Sequence, residues 1–218
     1  MPYYKFFLRY YQCYSFFFII NTVNIEVYYT GIIPECSQNK SGGVDWNSVV
    51  NFLAENEEFN NMIVQKLAEE SDKRFMILCS RKTQIKLLAQ KCEEQGIDVT
   101  TYYESMKGPK NPDARVLIGT TSKLGVGFDD TSRNAIMFAC DVANVENLEQ
   151  YAGRVVHRTT DVPLIIDYVH NFTSLKRHWA TRKKYYENIG ATIQLIGFPV
   201  RGIGSKIASI PTLLRPNE

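Results

Sequence analysis

Between residues 75 and 190, short unbroken apolar runs alternate with longer stretches whose apolar residues recur at helical spacing, and this alternation constrains the fold more than anything else in the chain. FMILC (75–79), VTTYY (99–103), RVLIGTT (115–121), AIMFAC (135–140) and PLIIDYV (163–169) read as strands. A strand that is apolar on both faces must be covered on both faces, and parallel sheets obtain that cover from the helices of their crossovers. Helical text lies where such crossovers need it. KTQIKLLAQKCEEQG sets Ile85, Leu88, Ala89 and Cys92 on one face with Gly96 as its stop, while ENLEQYAGRVVHR and SLKRHWATRKKYYENIG follow at 146–158 and 174–190. Upstream, Asp45 is placed to cap DWNSVVNFLAENEEFNNMIVQKLAEES. Within that stretch Phe59, Met62, Ile63 and Leu67 share a face, and a break near Asn56 divides it into two helices. The fold class is therefore α/β, a doubly wound parallel sheet with helices on both faces.

The expected organisation is an aromatic and apolar segment with a linker at 1–44, the α/β domain at 45–190 and a tail at 191–218. With 44% hydrophobic residues in 218 the chain can fill one core, and a formal net charge of +2 marks it neither as a nucleic-acid binder nor as a membrane binder by bulk charge. The N-terminal MPYYKFFLRYYQCYSFFFIINTV admits three readings: a membrane or secretion signal, a buried or interface-seeking strand, or a remnant of a larger reading frame. Its apolar run from Phe16 to Ile20 is far shorter than the ~20 residues of a spanning helix, so no stable membrane association is expected. Five cysteines without CxxC spacing suggest reduced thiols, hence a cytoplasmic or nuclear setting, and three histidines without zinc-site spacing imply no metal held by protein ligands alone.

Ligands of such sheets bind where strands end and helices begin. Three polar stretches fall there: Ser80-Arg81-Lys82 after FMILC, SKLGVGFDD (122–130) after RVLIGTT, and Asp141 after AIMFAC. The GVG at 125–127 lets backbone approach a ligand or simply makes a tight turn; it lacks the third glycine of a dinucleotide fingerprint. On the next helix Gln150, Arg154 and Arg158 stand four apart, drifting only ~40° per step, and form a polar stripe, with Tyr151 and Val155 facing inward. Gly153 beside Arg154 costs roughly 1 kcal/mol against alanine, an odd choice unless something approaches the backbone there. Further on, Lys176, Arg177, His178, Arg182, Lys183 and Lys184 flank Trp179, Tyr185 and Tyr186, either as a solvated face over inward aromatics or as phosphate contacts.

Thr121, Gly127 and Asp129 in the pattern T-x5-G-x-D, followed about twenty residues later by Q-x-x-G-R at Gln150 to Arg154, resemble motifs V and VI of superfamily 2 helicases and translocases. MILCSR (76–81) is similar to their motif IV. The resemblance covers about 75–190 and implies a second RecA-like domain, and the text after motif VI looks like that of large-DNA-virus and phage helicases, which would place the protein in a virus factory or virion. By that resemblance Arg154 is an arginine finger toward the γ-phosphate of ATP, Gln150, Gly127 and Asp129 are nucleotide-side residues, and Thr121 and Ser80 touch the nucleic-acid backbone. Arg81 and Lys123 join that last group from their charge and loop position. The family expects a second arginine three residues after the first; here His157 stands in that place and Arg158 comes next, so either could serve the catalytic role.

The sequence contains no GxxxxGK[ST] loop and no Asp-Glu dipeptide, so it has neither a phosphate loop nor a DExH box. ATP with Mg²⁺ is accordingly expected only together with a first RecA-like domain on another chain, and DNA or RNA is the expected polymer partner. Two other readings stay open: a non-catalytic nucleic-acid-binding or interaction module, and a small-molecule enzyme with a ligand at Gly125 to Asp129.

Overall fold

The computed structural model of the protein describes residues 23–125, 128, 130–156 and 162–198. Among them seven strands form one sheet in the order β3-β4-β2-β5-β6-β1-β7. They are β1 (Asn24–Tyr29), β2 (Phe75–Cys79), β3 (Val99–Tyr102), β4 (Val116–Thr120), β5 (Ala135–Phe138), β6 (Leu164–Val169) and β7 (Thr192–Ile196), and every pairing is parallel. The helices are α1 (Trp46–Glu55), α2 (Glu57–Glu69), α3 (Lys82–Glu94), the short α4 (Thr121–Gly125), α5 (Val145–Val156) and α6 (Thr173–Asn188).

The pleat divides the core as the continuous apolar runs require. Phe75, Ile77 and Cys79 of β2 face the layer of α1, α2 and α3, packing with Val49, Phe59, Ile63, Leu67 and Leu88. Met76 and Leu78 point the other way, into the layer of α4, α5 and α6, against Leu124, Leu148, Val155 and Tyr186. The sheet is thus doubly wound and RecA-like, in agreement with the sequence. Local signals also act as read: Asp45 caps α1 by accepting the Asn47 amide, Asn56 separates α1 from α2 while capping α2 through Phe59 N, and Gly96 after α3 adopts φ +69°.

Two strands lie outside 45–190. β1 pairs with β6 from Asn24↔Leu164 to Tyr29↔Val169 and with β7 on its other side, so the sheet takes in residues from both flanking segments. The alternation of NIEVYY, with Ile25 and Val27 buried, is too short to announce a strand whose partners come about 140 residues later.

Arginine 133 fastens the opposite end of the sheet. Its fully buried guanidinium donates to the carbonyls of Phe75, Ala114, Arg115 and Pro112 and to the Asp130 carboxylate. Burial works against the Asp130 charge, yet hydrogen bonds from Ser132 and Arg133 hold its carboxyl below the usual range. The segment after the glycine-bearing loop is therefore anchored to the amino ends of β2 and β4.

Candidate functional site

Among the described residues, Ser80, Arg81, Thr121, Lys123 and Arg154 lie along the carboxyl edge of the sheet. Arg154, on the last turn of α5, donates from Nη1 to the carbonyl of Phe128 (2.6 Å) and from Nη2 to that of Gly125 (2.8 Å). The helix bearing the polar stripe is thereby locked onto the loop after β4. Tyr151, one turn earlier on α5, makes the same junction from inside: its ring packs against Gly125, and burial raises its pKa. Its ring also explains Gly125. A Cβ at that position would stand 2.4 Å from Tyr151 Cε1, so the glycine serves helix packing, a role its sequence context did not disclose.

Gln150 is exposed on the same helix. Gly127, Asp129, His157 and Arg158, also expected at this site, lie outside the described residues.

The polymer-facing candidates occupy neighbouring strand ends. Ser80 follows β2 and lines one pocket with Cys140, whose thiol pKa burial pushes up to about 12. Arg81 is clasped by α1, donating from Nε to Asn51 (2.7 Å) and from Nη2 to Asn47 (2.9 Å), which fixes the guanidinium plane at the edge. Lys123 reaches the Met106 carbonyl and lies over the Tyr102 ring, 5.3 Å from its centroid. Beside it, Glu104 accepts the hydroxyls of Ser122 and Thr120, and these bonds, that of Ser122 foremost, hold its carboxyl below the usual range. A negative charge at this point was not foreseen.

The basic text of α6 divides in two. Lys176 and Arg177 are exposed, but Arg182 is 3% exposed and belongs to the interior. It forms a bidentate pair with Asp167 on β6 (2.8 and 3.0 Å) and also reaches Asp141 (2.9 Å) and the Val142 carbonyl, while Tyr186 donates to Asp167 and His178 meets Asp141. Arg182 therefore contacts no phosphate; it ties the start of the β5–α5 connection to β6. Asp167, in the middle of an apolar strand, was its only sequence signal.

No described protein family's sequence profile matches the chain. Protein 161L of Invertebrate iridescent virus 6, provisionally named a helicase, is 30% identical over 182 residues, covering 74% of this chain and 40% of that protein. Protein 055L of Frog virus 3, also provisionally named a helicase, is 28% identical over 171 residues, 78% of this chain and 38% of that one. Among solved structures, the C-terminal domain of the DEAD-box protein Dbp5 matches with a TM-score of 0.55 at 14% identity, over 81% of this chain and 92% of that one. UvsW of T4 matches at 0.58 and 13%, over 81% and 42%. The chain is thus similar in sequence to iridovirus proteins provisionally named helicases, and its fold is that of the Dbp5 C-terminal domain. The chain spans about 40% of the length of the iridovirus relative that it matches. Protein 108L of Invertebrate iridescent virus 3, to which no function is given, is 42% identical over 83 residues, 38% of this chain and 78% of that protein.

Proposed function

We propose that this domain is the second half of an ATP-driven nucleic-acid helicase or translocase and acts only with a first RecA-like domain that carries the phosphate loop and DExH box. The observation that supports this most is the Arg154 clasp, in which a guanidinium is held at the carboxyl edge on two neutral carbonyls. An ionised phosphate oxygen is a stronger acceptor than either carbonyl, so a triphosphate presented by a facing domain would compete for those donors. On this reading Arg154 would face the terminal phosphate, and Gln150, Gly127 and Asp129 would be the nucleotide-side residues that the motif resemblance implies. Mg²⁺ would be held by the carboxylates of the first domain. Bound ATP would supply the phosphoryl group; Arg154, with His157 or Arg158, would offset charge on its γ-phosphate, and Ser80, Arg81, Thr121 and Lys123 would follow the DNA or RNA backbone.

Mixing the 218-residue chain with a first RecA-like domain bearing a phosphate loop should give ATPase activity that nucleic acid stimulates, and Arg154→Ala should abolish it. Activity that ignores Arg154 would remove the finger assignment. The alternative, a helicase-derived module that only binds nucleic acid, predicts salt-sensitive binding indifferent to both ATP and Arg154.

A further inference from the structure

Trp46, the first residue of α1, is 37% exposed, whereas the chain's other tryptophan, Trp179, is buried. The Trp46 ring meets His178 edge-on at 5.7 Å between centroids and lines a pocket together with Ser80, Cys140, Asp141 and His170, which lie within three residues of the ends of β2, β5 and β6. The indole thus stands on the carboxyl edge itself. The pocket below holds only about 60 Å³, space for a few waters but not a nucleobase, so a ligand would meet the open face of the ring and would not enter beneath it.

Cations stand near the indole. Asn47, its neighbour on α1, grips Arg81, and Arg177, next to His178 in sequence, is exposed. The adjacent carboxylates are engaged: Asp45 accepts the Asn47 amide, and Asp141 is paired with Arg182 and His178. Beyond Arg81, Lys82 lies over the Tyr103 ring at 4.7 Å, so cations and aromatic rings alternate along the edge from α1 toward β3. Interleaving of this kind suits single-stranded nucleic acid, whose phosphates take the cations and whose unpaired bases take the rings.

We propose that Trp46 is a stacking platform for an unpaired base of single-stranded nucleic acid, with Arg81 holding the adjoining phosphate. The assignment rests on the nucleic-acid reading of this edge given above. It makes α1, which none of the three motifs includes, part of the polymer track.

Fluorescein-labelled oligo(dT) and oligo(U) are titrated with the full chain at low salt, following label anisotropy for binding and tryptophan emission for stacking. Binding should quench the emission of the wild type, and Trp46→Ala should weaken binding about tenfold and abolish the quenching, with Trp46→Phe within about threefold of wild type. Trp179 emission in Trp46→Ala, at an unchanged wavelength, reports that the fold is kept. Anisotropy showing tight binding without quenching, or an affinity that Trp46→Ala leaves alone, would overturn the platform while the polymer reading stood. No anisotropy change with either oligonucleotide would overturn both.

Discussion

At the scale of single residues, Gly125, Tyr151 and Arg154 form one device: the tyrosine fills the space above the glycine, and the arginine ties down the carbonyls on either side of the loop. Gly125→Ala should therefore lower stability in urea unfolding by ~1–3 kcal/mol, and adding Tyr151→Leu should recover part of that loss. An additive double variant would separate the two residues. The Arg182 network makes a larger prediction. Arg182→Met leaves Asp167 and Asp141 buried without their partner and should cost ~3–5 kcal/mol, whereas adding Asp167→Asn should cost less than the sum of the single changes. His170 gives a prediction in pH. Buried against Phe59 and bonded to Thr30, its imidazole has a pKa pulled down by burial to about 3 from 6.5. Below 6.5 the unfolded chain takes up the proton before the folded one does, so stability present above 6.5 falls away toward pH 3, by up to ~1.4 kcal/mol per pH unit. His170→Asn should flatten the decline of thermal stability across that window; an unaltered slope would assign the acid sensitivity to another group. Of these residues Arg154 was legible in the sequence because its spacing from Gln150 is local. Arg182 was not, because whether a helix cation is buried depends on a carboxylate supplied by a different strand.

At the scale of elements, the central strands were visible because burial on both faces leaves runs with hardly a polar residue, as in FMILC, where every position is buried. Strands β1 and β7 escaped for the converse reason. β7 is half open to solvent, with Leu195 exposed, and β1 mixes Asn24, Glu26 and two tyrosines with its buried Ile25 and Val27. Yet β1 lies between β6 and β7, and its amides are hydrogen-bonded within the sheet. Native-state hydrogen exchange should show β1 protected like β6, while β3 and β7 at the two edges exchange first. Rapid exchange throughout β1 would contradict its interior place. Helix α1 was read from its cap and apolar face alone; that its first turn reaches the ends of β2 and β5 follows from packing across the sheet, which spacing along the chain does not encode.

At the scale of the whole molecule, the proposed function makes this domain, with its fixed Arg154 at one edge, half of a nucleotide site. The edge that carries the arginine also carries Ser80, Arg81, Thr121 and Lys123, so on the proposed reading nucleotide state and polymer contact would share the same loops. The common edge was legible in outline, since the three motif stretches follow strands and parallel strands of one sheet end on one side. The carboxylate of Glu104 beside Lys123 was not, because the long β3–β4 connection brings it there. The most direct measurement is kcat for nucleic-acid-stimulated ATP hydrolysis by the chain together with a phosphate-loop domain, compared between wild type and Arg154→Ala, with polymer affinity measured in parallel. The expected result is a fall in kcat on the order of 10³-fold or more with polymer Kd within a few-fold of wild type. Equal kcat values for the two proteins, or a loss that appears only in polymer binding, would contradict the account.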